Sequence, residues 1–255
     1  MLDGVDELID EGLRVAPIGH PPHYPHKVSA LGLNSLPPTV DSAALFQRIL
    51  TRIERNWYES RQIGVPRTAS DENWQWRKFP YIAAHDKSKE KVIEKAIVLA
   101  FDDAWANEIP TLAGLLNPSS ESHCNIDLGR RVSDSEFEFI GLKIDSDTPL
   151  AAAFEVLKYG LVYVFSRRYA AELGYATDNP LLRAERVTLC VLAPSTYYDA
   201  YDVSWLQSAI SDGLRDLNSP DLQLDFRFEQ FHPDATSPDE IMNSRAPLYS
   251  TVTKQ

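Results

Sequence analysis

The chain has 255 residues, enough to bury a substantial core as one domain with an extension or as two small domains. Hydrophobic residues at 44% and charged residues at 24% exclude disorder of the whole chain. A net charge of −12 argues against indiscriminate nucleic-acid binding through a general basic surface, so any basic footprint must be local, with Arg130-Arg131 and Arg167-Arg168 as its candidates.

The only two cysteines, Cys124 and Cys190, lie among apolar residues and read as reduced thiols in a cytoplasmic protein. The acidic start lacks the basic-then-apolar order of a secretory signal. The most apolar run, Leu150 to Phe165, contains Glu155 and Lys158 and falls short of the roughly 20 uninterrupted residues that span a bilayer. The sequence therefore predicts a soluble protein with no membrane partner.

Residues 1–40 carry Pro17, Pro21, Pro22, Pro25, Pro37 and Pro38, which predicts an arm or covering segment in place of regular helix. Asp41 then precedes Leu45, Ile49, Leu50 and Ile53 at helical spacing, so a helix is expected from about Ser42 to Glu59. Trp74, Trp76, Phe79 and Tyr81 lie within a stretch read as a strand; they are assigned to the core or to covering a sheet, with base stacking as the alternative. Ser88 caps an expected helix through Val92, Ile93, Ala96, Ile97 and Ala100 to about Ala106, and residues 110–121 read as a link ending in Asn117-Pro-Ser-Ser.

Next comes a hairpin with Val132 to Ser135 as its turn. A helix from about Pro149 to Leu173 follows, with proline in its first turn and Gly174 just past its end. Arg186 to Leu192 is a continuous apolar run suited to a strand covered on both faces. Trp205 to Leu217 reads as a helix, Leu222 to Phe231 as a strand, and residues 232–255 as a polar tail with one more strand at Leu248 to Thr253. Residues 1–84 thus form an N-terminal helical and proline-rich extension, 85–232 an α/β core with a central mixed sheet flanked by helices, and 233–255 a tail.

One stretch concentrates chemistry: Ile126-Asp127-Leu128-Gly129, then Glu136-Phe137-Glu138-Phe139-Ile140-Gly141-Leu142-Lys143-Ile144, then a helix with Glu155 and Tyr159. On a strand alternate side chains share a face, so Phe137, Phe139, Gly141 and Lys143 lie together and Glu138 faces the other way. This succession resembles the core of the PD-(D/E)xK, or restriction-endonuclease-like, nuclease superfamily. There an aspartate on one strand and a Glu-x-Lys on the next hold a divalent cation beside a scissile phosphate.

The resemblance implies a restriction-endonuclease-like core, Mg2+ or Mn2+ as cofactor, and nucleic acid as partner, DNA before RNA. It makes Asp127 a metal ligand and Lys143 the group that positions water or offsets charge. Gly141 stands where the superfamily has glutamate, which implies impaired catalysis unless another acid serves. Glu155, with eleven residues between it and Lys143, matches members that supply the acid from the following helix. Glu155-x-x-x-Tyr159 also matches the spacing of a Gln-x-x-x-Tyr element in exonuclease-like branches, and both roles for Glu155 stay open. Glu94 on the first core helix is a third candidate ligand, its alternative being a solvated helix edge.

Two other readings compete. A non-catalytic descendant of the same fold would serve as a protein-interaction or assembly module through its acidic surface and proline-rich arm. A small-molecule enzyme of another α/β class would use Asp127 with Tyr197 and Tyr198, which follow the central strand where open sheets place their sites. His20, His23 and His26 offer a transition-metal cluster, but the prolines between them read as an extended surface arm.

Overall fold

The computed structural model describes residues 1–13, 41–62, 69–81, 88–115, 125–232, 237–243 and 247–252. Its sheet has six strands side by side in chain order, β1 (Trp105–Pro110), β2 (Asn125–Arg131), β3 (Glu136–Leu142), β4 (Arg186–Ala193), β5 (Gln223–Phe231) and β6 (Tyr249–Thr251). β1, β2 and β3 run antiparallel to their neighbours, β3, β4 and β5 run parallel, and β6 closes the edge antiparallel to β5. The fold is therefore α/β with a mixed sheet flanked by helices.

The connections explain this switch of direction. β2 and β3 need only a tight turn, closed where the amides of Val132 and Ser133 donate to the carbonyl of Glu136 at 2.9 and 3.2 Å. Parallel neighbours need a crossover. α4 (Pro149–Arg168) supplies it between β3 and β4, and α7 (Ser204–Arg215) between β4 and β5. Thr148 caps α4 by accepting from the Ala151 amide at 3.2 Å, with Pro149 in the first turn as the sequence predicts. A short helix, α5 (Ala170–Leu173), ends at Gly174, whose φ of +79° suits glycine.

Helices cover both faces of the sheet. On one, α4 and α7 pack beneath α2 (Ser42–Gln62), and α1 (Val5–Leu13) packs on α2. Their apolar side chains merge with Phe137, Phe139, Val187, Leu189, Val191 and Phe226 of the sheet. On the other face α3 (Lys89–Ala100) and α8 (Pro238–Asn243) cover Leu128, Ile140, Leu142, Cys190 and Leu192. β4 is accordingly buried on both sides, as its unbroken apolar run requires. α4 is long and apolar enough to cross a membrane, but it is buried within the fold.

Several expectations need correction. The helix beginning at Lys89 stops at Ala100 and not near Ala106, because the Asp102 carboxylate accepts from the Ala104 amide in a turn that leads into β1. That strand falls where the sequence reads a helix end and a link. α1 lies in the segment read as an arm: Val5, Ile9 and Leu13 recur every four residues and all are buried. Trp74 to Tyr81 is not a strand. Trp74 has φ +59°, and the Asn107 amide donates to the Arg77 carbonyl at 3.2 Å along the edge of β1. A short helix, α6 (Ser195–Tyr198), follows β4, and α8 lies in the presumed tail. Cys190 is a free buried thiol; Cys124, the prolines from 17 to 38 and the three clustered histidines lie outside the described residues.

Candidate active site at the splayed end of the sheet

The ladder between β2 and β3 runs from Arg131 opposite Phe137 to Leu128 opposite Ile140 and stops there. One step further, Asp127 would face Gly141. On its other side the β1 register passes from Asn107–Leu128 to Ile109–Ile126, skipping Glu108 and Asp127, and Glu108 has φ +50°. The strand rolls over at this point. Ile126 and Leu128, two apart and so expected on one face, join the cores on opposite sides of the sheet. Asp127 occupies the opening, where its Oδ2 accepts the backbone N–H of Leu142 at 3.0 Å.

Past the opening β3 stays attached to β4, with the Lys143 amide donating to the Leu192 carbonyl at 2.9 Å. Lys143, only 6% exposed as a residue, points its side chain to the α4 side as strand parity predicts. Its Nζ lies 2.6 Å from Glu155 Oε2 and 3.4 Å from Asp147 Oδ2. The Tyr159 hydroxyl donates to the other oxygen of Glu155 at 3.2 Å, so residues four apart on α4 hold one carboxylate from both sides. Glu155 does not pair with Lys158, which reaches Asp6 instead.

α3 brings a second pair of charges. Glu94 is 1% exposed, which overturns the solvated-edge alternative. Lys91 lies 2.8 Å from its Oε2 and 3.3 Å from Glu108, and the Asn107 side-chain amide donates to its Oε1 at 2.8 Å. Glu90 holds the loop after Lys143, accepting from the Ser146 hydroxyl at 2.5 Å and the Ile144 amide at 3.4 Å.

These charges sense one another across the opening. Part of Asp127 reaches solvent, yet its carboxyl is enclosed by protein. Burial, followed by the negative charges of Glu155 and Glu94, raises its pKa to about 7 against the pull of Lys91 and the Leu142 hydrogen bond. Burial also raises Glu94 despite Lys91 and Asn107. For Lys143 burial acts downward, but Glu155, Asp127 and Asp147 outweigh it and raise its pKa. Asp127, Glu155 and Glu94 thus form a set of acids that repel one another, with Lys143 and Lys91 between them.

Carboxylate oxygens are hard donors and suit Mg2+ or Mn2+, and mutual repulsion among three of them is the imbalance that a divalent cation relieves. In the present rotamers each is turned toward an internal partner. Among the described residues no three acidic, histidine or cysteine side chains are gathered to ligate one ion as they stand. The slot at Gly141 is closed by packing: a Cβ there would lie 2.5 Å from Val156 Cγ2 on α4.

Sequence reading missed Lys91, Asn107, Glu108 and Asp147 as neighbours of the site. Three of these depend on β1, whose pairing with β2 has no local signature. Tyr197 has a buried hydroxyl without a partner, and burial raises its pKa, helped by Asp147, Tyr201, Glu155 and Glu90. Beyond it, at the carboxyl ends of β4 and β5, lies a cleft of about 740 Å3 lined by Tyr198, Asp199, Tyr201, Ser204, Gln207 and Gln230 among others. Asp127, Lys143 and Glu155 do not line it, so the cleft does not join Asp127 to the tyrosines. Of the arginines proposed as a basic footprint, Arg130 is engaged with Glu138 and Tyr249, Arg167 with the carbonyls of Ala184 and Asp221, and Arg168 with Glu54; Arg131 is exposed. No family model matches the chain, and no curated protein or solved structure matches it either.

Proposed function

We propose that this chain is a cytoplasmic, metal-dependent phosphodiesterase with a restriction-endonuclease-like core, acting on nucleic acid and on DNA before RNA. The observation that carries the reading is the convergence of Asp127, Lys143 and Glu155 where β2 and β3 part, with Lys143 Nζ 2.6 Å from Glu155. Asp127 and Glu155, with Glu94 behind them, are the residues that would hold Mg2+ or Mn2+. When bound, such an ion polarises a phosphoryl oxygen and lowers the pKa of an attacking water. Lys143, which lies between Glu155 and Asp147, would present an ammonium to developing negative charge on the phosphate. Tyr159 keeps a hydroxyl on Glu155 and limits its swing.

Glu155 thereby takes the part that Gly141 leaves unfilled. The test is hydrolysis of single- and double-stranded DNA and RNA with Mg2+ or Mn2+, paired with metal-dependent thermal stabilisation. Asp127→Asn and Glu155→Gln are expected to cut the rate at least a hundredfold and to abolish the stabilisation. If the intact protein neither hydrolyses any of these substrates nor gains stability with Mn2+, the reading fails.

A second reading is favoured by the closed Gly141 slot and by the Lys143–Glu155 pair, which neutralises the lysine internally. It makes the chain a non-catalytic descendant of the same fold, serving as an interaction or assembly module. Metal-independent stability together with inert Asp127 and Glu155 variants would support it.

A further inference from the structure

The four aromatics between Trp74 and Tyr81 divide sharply. Trp74 is buried against Phe139 and Tyr163, and Trp76 packs on Phe137. Phe79 and Tyr81 are different, at 41% and 78% exposed. The backbone that carries Phe79 is held in place, and Tyr81 lies two residues further on. The Asn107 side chain grips the backbone of residue 79 twice, accepting from its amide at 2.7 Å and donating to its carbonyl at 3.2 Å. Just before it, the Arg77 carbonyl accepts from the Asn107 backbone and Lys78 bonds the Phe101 carbonyl at 3.1 Å.

The same Asn107 amide also donates to Glu94 at 2.8 Å. One side chain therefore spans from the mount of the exposed rings to a carboxylate of the candidate site. A ring on a fixed backbone, as at Phe79, loses little freedom when a flat group stacks on it. A neutral π-face also suits an acidic protein in which Arg130 and Arg168 are paired with Glu138 and Glu54 and Arg167 with backbone carbonyls.

We infer that Phe79 and Tyr81 form a base-stacking lip beside the Asp127 site, and that the substrate reaches it as unpaired nucleotides of a single strand or a frayed end. The inference rests on the phosphodiesterase reading and narrows its substrate class. Base stacking tolerates any sequence because every base has a π-face, so the lip confers strand selectivity without sequence selectivity.

The test uses the full chain and fluorescein-labelled 12-nucleotide DNA, single-stranded or as a duplex, with EDTA present to block turnover and anisotropy as readout. The intact protein is expected to bind the single strand at least tenfold more tightly than the duplex. The F79A/Y81A double variant should lose about tenfold or more in single-strand affinity for each ring removed, while Tyr81→Trp should retain it. Unchanged melting temperatures would show that both variants fold. With Mn2+ and no nucleic acid, the metal-dependent rise in melting temperature should be the same in the double variant as in the intact protein. Equal affinity for single strand and duplex, no measurable binding, or double-variant binding equal to the intact protein overturns the lip. Loss of binding in the double variant without hydrolysis of any substrate would keep the lip and overturn the phosphodiesterase reading.

Discussion

The backbone N–H of Leu142 donates to the side chain of Asp127, 3.0 Å away, at the point where the two strands stop pairing with each other. That bond keeps a carboxylate inside the opening of the sheet, and it stabilises the charged form there. Burial and the charges of Glu155 and Glu94 act more strongly in the opposite sense.

A dependence of stability on pH follows. The Asp127 carboxyl moves from 3.8 to about 7 on folding. An acid whose pKa rises on folding binds more protons in the native than in the unfolded state between those values. Its contribution is therefore most favourable below the lower value and declines as pH climbs to about 7. Asp127→Asn keeps an acceptor for Leu142 and removes the charge. In chelator-treated protein, urea denaturation should find the variant gaining on its parent by roughly 2 kcal/mol between pH 5 and pH 8. An unchanging difference across that range would place the carboxyl in ordinary surroundings.

What could be read from the sequence was local. Strand parity places Lys143 and Gly141 on the face that α4 covers, Pro149 and Gly174 punctuate the helical stretch, and Glu155 falls near the lysine because a short loop returns the chain directly onto its own strand. What could not be read was long-range. Ala104, Trp105 and Ala106 continue the apolar spacing of α3, so the apolar pattern by itself does not show the Asp102 turn or the pairing of β1 with a strand some twenty residues later that together end the helix. Asn107 and Glu108 join the site through that pairing, and Glu94 and Lys91 acquire their roles with them. α1 was hidden differently, since the prolines that follow it colour the whole segment while Val5, Ile9 and Leu13 already carry a helical stripe.

Gly141 is a packing residue in this chain. Because a Cβ there would stand 2.5 Å from Val156 Cγ2, Gly141→Glu alone should cost about 1–3 kcal/mol in urea denaturation. Pairing it with Val156→Ala should recover part of that cost, so that the two substitutions are non-additive. Strict additivity would show that α4 already leaves room for the larger residue.

Glu138, which parity turns away from the site, has a structural role on the opposite face. It is 4% exposed and is gripped by Arg227 at 2.7 Å, Arg130 at 3.3 Å and the Tyr249 hydroxyl, joining β2, β3, β5 and β6. Glu138→Gln should cost about 2 kcal/mol, below the loss for a fully buried ion pair because both guanidiniums reach solvent. Since Tyr249 anchors β6 through this carboxylate, hydrogen exchange should accelerate first at Val252, whose amide bonds the Phe228 carbonyl. Uniform acceleration across the sheet would argue against that local role.

The contact between Lys143 and Glu155 should be a working pair, strong enough to order the site and weak enough to open. At 2.6 Å it joins a lysine that is almost fully buried to a carboxylate whose side chain is 34% exposed, and solvent at the glutamate screens the attraction. A double-mutant cycle with Lys143→Met and Glu155→Gln should return a coupling of about 1–2 kcal/mol without metal, against the 3–5 kcal/mol lost when a buried pair is broken. Added Mn2+ should shrink the coupling as Glu155 turns away from the lysine. Lys143→Met alone should then destabilise the metal-free protein more than the metal-loaded one, because Asp127, Asp147 and Glu155 lose their shared cation in the first case and keep a substitute in the second. A coupling indifferent to Mn2+ would mean that Glu155 never leaves Lys143, and the relocated-acid role would go with it.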